Sequence, residues 1–378
     1  MKILIAPDKF KGSLTAEEVV TAIAEGIRHF NPEIEVYQFP LADGGDGTAA
    51  ILTYHFKGEF IRINVHDPLF QIIESGYGYA KRIKTAFIEM SAASGLRLVP
   101  KQKQNPLFTT TLGTGEMIKD AISRGAERII LGIGGSATND AGIGMAAALG
   151  YKFLDRAGIE LKPVGENLEA IYSIKDSNLL FSPSEIDVHI ACDVDNPLYG
   201  RKGAAHIYGP QKGAEPGTVR KLDKGLRNFA RIVRNKYGKD ISRLPGAGAA
   251  GGLGAGAVVF LNARLRSGIE LVMDITGFEE QLKAADLILT GEGKIDKQTF
   301  QGKVIDGVTR LAGKYNIPVL AVCGDIELKS RQLKKHGILE SRSLVNHFGS
   351  PEKALKNTRT GIIEITKILL EHYITASP

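Results

Sequence analysis

I-I-L-G-I-G-G-S-A-T-N-D-A-G-I-G-M-A-A-A-L-G, residues 129–150, carries three local signals in one stretch. Its first residues, 129–131, form a short apolar run of the length expected for a buried strand. Gly132, Gly134 and Gly135 then break the run, with Ser136, Thr138 and Asn139 close behind. From 141 to 149 the pattern becomes that of a small-residue helix. A strand, a glycine turn and a helix start in that order suit an anion, because the first helical N–H groups lack partners and the helix dipole favours negative charge. Gly134 and Gly135 carry no Cβ, so a ligand oxygen can come close to the main chain. Asp140 sits where a carboxylate either caps the helix or competes with the anion. The same residues also describe a plain strand-to-helix turn with a Ser/Thr cap, since glycine-rich turns are common.

Toward the N-terminus, an apolar run over 2–6 ended by Pro7 reads as a first buried strand. After the loop P-D-K-F-K-G-S-L-T, Thr15 and Glu18 have the capping-box spacing, and Val19, Val20, Ile23, Ile27 and Phe30 give the helix they open an apolar stripe. A second strand over 33–39 runs into L-A-D-G-G-D-G-T, with a further helix over 46–56. Two such units in succession argue for a parallel sheet with helices on its faces. The pattern then changes: 60–65, 71–79 and 84–90 are strand-like with hairpin signals between them, which places a domain boundary near residue 58. T-T-T-L-G-T-G-E-M, 109–117, reads as a second glycine turn leading into a helix near Glu116.

Farther on, 187–191 reads as a strand, and Leu222, Leu226, Phe229 and Ile232 share one helix face. The glycine-rich run 245–257 lacks Ser and leads straight into V-V-F-L, so close helix packing or a ligand-facing backbone fits it better than a tether. From about 285 strands (285–289, 318–322, 338–344) alternate again with helices (304–315, 328–336, 353–373). These late strands join the early ones in one parallel sheet. The expected organisation is α/β: a discontinuous domain, 1–58 and 265–378, with a second α/β domain, 59–264, inserted into it.

Composition narrows the function classes. The chain has 378 residues, 43% of them hydrophobic, and a net charge of +6 spread along its length. No basic block is interleaved with aromatics, which argues against nucleic acid, while a small anionic substrate suits the mild positive bias. Cys192 and Cys323 lie on apolar runs and read as small buried hydrophobes, and with His189 they form no metal-binding spacing. The N-terminal M-K-I-L-I-A-P-D lacks a signal-peptide core and no apolar run is long enough to cross a bilayer, so a cytoplasmic protein without a membrane partner is expected.

In open parallel sheets ligands bind beyond the carboxyl ends of the strands, and the loops there are unusually polar. They supply Asp8, Lys9, Lys11 and Ser13; Asp43 and Asp46; Glu292, Asp296, Gln298, Thr299 and Lys303; and, from the middle segment, residues 134–140 and Asp193. Carboxylates among short polar groups suit Mg²⁺, and lysines with glycine amides suit phosphate. That is the equipment of phosphoryl transfer. The chain has no G-x-x-x-x-G-K-[ST], no H-R-D or D-F-G, and no G-x-S-x-G. Plainer readings stand beside these: Asp43 as an Asx turn, Asp193 as a loop cap, Lys9 as a solvated surface lysine.

Assembled in order, A-P-D-K-F-K-G-S (6–13), L-A-D-G-G-D-G-T (41–48), I-E-M-S-A-A-S-G-L (88–96), G-T-G-E (113–116), G-I-G-G-S-A-T-N-D (132–140), A-C-D-V-D-N-P-L (191–198), G-P-Q-K-G-A (209–214), P-G-A-G-A-A-G-G-L-G (245–254), S-G-I-E (267–270) and G-E-G-K-I-D-K-Q-T-F-Q-G-K (291–303) make the sequence similar to the class I glycerate kinase family over essentially its whole length. The resemblance implies ATP-dependent phosphorylation of D-glycerate, generally to 2-phosphoglycerate. It also implies a Rossmann-like domain with a second α/β domain inserted into it and the active site in the cleft between them. The chain departs from the family at Lys9, where Ser is usual, at Asp46, often Glu, and at Ala141, often Gly. On chemical grounds Asp193 is expected to take the hydroxyl proton, with Asp43 as second choice. Glu292 and Asp296 are expected to hold Mg²⁺. Gly134, Gly135, Ser136, Thr138 and Asn139, with Lys11, Ser13 and Lys303, would bind phosphate or the glycerate carboxylate. A homodimer is compatible with this reading. The rival readings are a kinase for another small hydroxy acid or polyol, and a non-catalytic sensor of a nucleotide or phosphosugar.

Overall fold

The computed structural model describes residues 1–376. In chain order the strands are β1 (Lys2–Ile5), β2 (Glu35–Gln38), β3 (Glu59–His66), β4 (Ile72–Ala80), β5 (Thr85–Glu89), β6 (Arg128–Gly132), β7 (Lys152–Leu154), β8 (Ser173–Lys175), β9 (Asp187–Ala191), β10 (Arg264–Arg266), β11 (Leu287–Ile295), β12 (Val319–Ile326) and β13 (Ile338–Ser343). The chain divides into two units, Met1–Asp43 with Gly268–Pro378, and Gly44–Ser267. Among the described residues no helix is long and apolar enough to cross a membrane.

The discontinuous unit is built on a five-stranded sheet, β13-β12-β11-β1-β2, parallel throughout. Successive side chains of β12 serve different cores: Leu320 and Val322 join Ile3, Ile5, Ile23 and Ile365, whereas Ala321 and Cys323 join Ile305 and Leu333. Such two-sided burial is what a parallel sheet requires. Thr15 caps the helix Ala16–Phe30 through the reciprocal bonds with Glu18 that its spacing predicts. Gly26 lets that helix meet Thr358–Ala376 closely, since a Cβ there would lie 2.7 Å from the Ile363 carbonyl oxygen.

Two expectations for this unit change. β11 and β12 run on through Ile295 and Ile326, so Gly291–Ile295 is strand rather than loop and Glu292 is a strand residue. The glycines that suggested a loop allow close strand contact instead: a Cβ on Gly291 would sit 2.2 Å from the Val322 oxygen. The long helix expected over 353–373 is two helices, Pro351–Lys356 and Thr358–Ala376.

The second unit is built on a six-stranded sheet, β10-β9-β6-β5-β4-β3. β3, β4 and β5 form the antiparallel meander, and β5, β6, β9 and β10 are parallel. Leu222, Leu226, Phe229 and Ile232 of the helix Pro216–Tyr237 are buried in its core, as their spacing predicts. The boundary falls after Asp43 rather than near 58, because the helix Thr48–His55 belongs with the meander. The Gly47 amide just before it and its own Ala49 amide donate to Glu89 Oε1 at 2.8 and 3.0 Å, and Phe56 just after it stacks on Phe87.

The run 245–257 is a packed helical segment, Ala249–Phe260, interrupted by positive φ at Ala250, Gly251 and Gly252. It lies directly against residues 138–142: a Cβ on Gly251 would come 2.0 Å from the Thr138 oxygen and one on Gly256 2.2 Å from the Ala141 oxygen. Likewise 112–115 is already helix, Leu112–Ser123, and Gly115 is there for contact with Met145, 2.3 Å from its oxygen to a notional Cβ.

Gly251→Ala meets both that contact and a φ of +70°, so it should lower stability by more than about 2 kcal/mol. Gly313→Ala, in the helix Val304–Lys314 with nothing within 4 Å of its Cβ, should raise stability by up to about 1 kcal/mol. Denaturant unfolding of the two variants beside the parent checks both signs.

Candidate active site

At the carboxyl ends of β1, β2 and β11, the discontinuous unit gathers acidic groups. The Asp8 amide donates to the Gly291 oxygen at 2.8 Å, which fixes the residue beside β11. Its buried carboxylate accepts from the Lys9 amide at 2.7 Å. Burial, and next the charge of Asp43, push the Asp8 carboxyl up to about 6, against the opposing pull of Lys9 and Lys303. Glu292, 4% exposed, accepts the Thr299 hydroxyl. Burial chiefly raises it to about 7; Thr299 and Lys303 oppose this, and Asp8 and Asp296 add to it. Asp8, Asp43, Glu292, Asp296 and Lys303 therefore feel one another electrostatically.

The neighbouring loops are tightly folded. Asp296 Oδ1 accepts the Gln298 and Thr299 amides at 2.7 and 3.3 Å, and Lys303 immediately precedes the helix Val304–Lys314. Lys11 is exposed at a tight turn closed by the Phe10 amide donating to the Leu14 oxygen. Ser13 is drawn elsewhere, its hydroxyl donating to Thr358 Oγ1 at 2.7 Å. Among the described residues no three His, Cys, Asp or Glu side chains converge as a ready metal cage. Mg²⁺ does not need one, since it keeps several waters and takes one or two carboxylates with substrate phosphates. A buried like-charged pair of raised proton affinity, Asp8 and Glu292, fits a hard cation of that kind.

In the other unit the register aligns the ends of β5, β6, β9 and β10: Glu89 with Gly132, Gly132 with Ala191, Ala191 with Arg266. The turn after β6 is moored to 94–96, the Ala137 amide donating to the Ser94 oxygen and the Leu96 amide to the Gly135 oxygen, both at 2.9 Å. Gly134 and Gly135 are exposed, and Gly135 has φ +71°. Among the described residues, no backbone carbonyl accepts from the Gly134, Gly135 or Ser136 amide. Thr138 and Asn139 are fully buried, and Thr138 Oγ1 with both side-chain polar atoms of Asn139 lack partners there. Asp193 is exposed two residues beyond β9, on the same sheet edge as this turn.

The helix start itself is not the anion site that the residue pattern suggests. Ala141 and Gly142 have positive φ, so the helix begins at Ile143 and spans only Ile143–Ala148. Asp140 already occupies its amides: the carboxylate accepts from the Gly142 and Gly144 amides at 3.1 and 3.2 Å, and from the Thr111 amide and hydroxyl at 2.8 and 2.7 Å. Asp140 caps, and what remains for a ligand is the turn before it.

Two perturbed groups carry no role in the sequence reading. Asp8 is one, although its place just past a strand matches that of Asp43. The other is Lys212, inside G-P-Q-K-G-A and only 2% exposed. Its Nζ donates to Ser136 Oγ at 2.6 Å and to the Thr138 oxygen at 2.7 Å. Burial pulls the ammonium down to about 7, and the Asp140 charge opposes that shift.

Comparison with known proteins adds a family. The model of the glycerate kinase family matches residues 3–373. A glycerate kinase of Halalkalibacterium halodurans is 46% identical over 354 residues, 94% of this chain and 93% of the relative. The glycerate 2-kinase of Escherichia coli K12 is 42% identical over 367 residues, 97% and 96% of the two chains. A crystal structure from Salmonella typhimurium LT2, described as a glycerate kinase 2, matches with a TM-score of 0.88 and 41% identity over 99% of each chain.

The acidic group makes stability depend on pH with a definite sign. An acid whose folded value is raised holds its proton more tightly in the native state, so it disfavours folding as pH rises through the window. For Asp8 that window runs from its ordinary 3.8 to about 6. Asp8→Asn should match the parent near pH 4 and exceed it at pH 7.5, by roughly 3 kcal/mol at most. Ligand-free unfolding curves at the two pH values test this; a variant no better off at pH 7.5 than at pH 4 contradicts it.

Proposed function

The chain belongs to the glycerate kinase family, and on that premise we propose that it transfers the γ-phosphoryl group of ATP in line to the 2-hydroxyl of D-glycerate, giving 2-phosphoglycerate and ADP. The observation that carries the reading is that each unit, taken by itself, ends its sheet in groups of the kind phosphoryl transfer uses. One edge gathers Asp8, Asp43, Glu292 and Asp296 with Lys303; the other presents the Gly134–Ser136 amides and Asp193. A hydroxyl acceptor needs a carboxylate for its proton, and a transferring phosphoryl group needs positive charge and N–H donors.

In this reading Asp193 accepts the hydroxyl proton, with Asp43 the second choice. Glu292, with Asp8 beside it and Asp296 through its second carboxylate oxygen, would hold Mg²⁺, which when bound neutralises phosphate charge. Lys303 and Lys11 bind phosphate oxygens. The 134–139 turn, including Thr138 and Asn139, binds the second anionic group, carboxylate or phosphate. Ser13, hydrogen-bonded to Thr358, steadies the loop that carries Lys11. Carboxylates among the lysines favour a kinase over a sensor of anions, which gains nothing from like charge at its site.

³¹P NMR of the mixture from D-glycerate, ATP and Mg²⁺ should show a monoester at the 2-position; a 3-phosphate would overturn the regiochemistry and no ester the whole reading. Asp193→Asn should lose at least about a hundredfold in kcat. Near-parental turnover in a folded variant would transfer the base role to Asp43.

A further inference from the structure

Lys212 stands out among the buried groups that the proposed reaction does not use. A lysine ammonium in a dry interior is unfavourable unless something there needs it. This one reaches the turn after β6 from the short helical turn Pro210–Lys212, and its acceptors are both turn residues. A hydroxyl has one hydrogen and two lone-pair positions. Because Ser136 Oγ accepts from Lys212, its own hydrogen is directed away from the ammonium, and it has no acceptor among the described residues. The Thr138 carbonyl is likewise held inward toward Nζ at 2.7 Å. What the turn then offers beside that positive charge is a set of donors: the Gly134, Gly135 and Ser136 amides, which no backbone carbonyl takes among the described residues, and the Ser136 hydroxyl hydrogen.

Resting on the reading of function above, we propose that Lys212 is a positioning residue for phosphoryl transfer: it fixes the 134–138 turn so that the Ser136 hydroxyl and the neighbouring amides donate to one anionic oxygen group of the substrates, the carboxylate of glycerate or a phosphate of ATP. An acceptor-rich group pairs with each of those donors. A neutral hydroxyl group would leave most of those donors unmatched. Asp140 lies close enough to favour the charged form of Lys212, and its carboxylate is saturated by its own donors, so it does not draw the ammonium off Ser136.

The test compares Lys212→Met, Ser136→Ala and the double variant, with KM and kcat measured separately for D-glycerate and ATP. Lys212→Met should raise the KM of one substrate by roughly ten- to a hundredfold. Ser136→Ala should raise the KM of the same substrate by less, and the double variant should be no worse than Lys212→Met. A rise confined to D-glycerate identifies the carboxylate as the bound group, one confined to ATP the phosphate. The proposal is overturned if both KM values stay within about twofold of the parent in folded variants, or if the two single effects multiply in the double. Should circular dichroism show Lys212→Met unfolded, Ser136→Ala decides alone, and unchanged KM values for both substrates overturn it. Absence of product from the parent chain removes the functional reading together with the proposal, whereas an active parent with indifferent variants removes only the role of Lys212.

Discussion

One buried carboxylate governs the geometry around the turn after β6. Asp140, wholly inside the protein, collects the Thr111 amide and hydroxyl and the Gly142 and Gly144 amides. A charge there without those donors would be strongly unfavourable, so the segments that supply them have little freedom to move apart. Residues around 111 and 142–144 are consequently pinned to a single point. Thr111 Oγ1 extends the network by accepting from the Met145 amide at 2.8 Å. The turn that precedes Asp140 inherits its direction from this anchor.

Contrast between the two sheet edges follows from the residues each places in low dielectric. On one, Asp8 and Glu292 are buried near each other, and that burial, which Lys9 and Lys303 offset only in part, leaves a deficit of positive charge and raises their affinity for protons. That deficit is what a cation would supply. On the other, a buried lysine donates to a serine hydroxyl and a carbonyl, and the exposed Gly134 and Gly135 lie beside it on the edge that also carries Asp193. Phosphoryl transfer has use for both, because the phosphoryl oxygens need positive charge while the attacking hydroxyl must lose a proton.

Much of this was legible in the residues alone, and the failures share a cause. The parallel sheet of the discontinuous unit, the Thr15–Glu18 cap and the buried face of Leu222, Leu226 and Phe229 all rest on periodicity, which long apolar elements report faithfully. Glycine is ambiguous: it marks a turn, or a place where another main chain comes within contact distance. Gly291, Gly113 and Gly115 suggested turns, yet they lie in β11 and in the helix Leu112–Ser123, each with a carbonyl within 2.3 Å of its notional Cβ. Nothing local distinguishes the two uses, since the partner atom comes from a distant segment. Lys212 was hidden similarly, for a lone lysine between Gln211 and Gly213 has the local pattern of a surface residue. The domain boundary moved because Glu89, forty residues on, receives amides at the start of the helix Thr48–His55.

Such close packing bears directly on catalysis by fixed dipoles. Donors aimed at developing charge help only if they need not reorganise when the charge appears, which demands a stiff backbone. Side-chain packing leaves rotamer freedom, whereas main chain lying on main chain leaves almost none. Thr138 and Ala141 are backed by Gly251 and Gly256 at distances no other residue type tolerates, and Gly144 presses against Thr110 and Leu112. The glycine content of the 245–257 run, which in isolation would suggest a flexible tether, thus acts in the opposite sense. It lets one rigid backbone back another at Thr138 and Ala141, a few residues past the exposed Gly134 and Gly135.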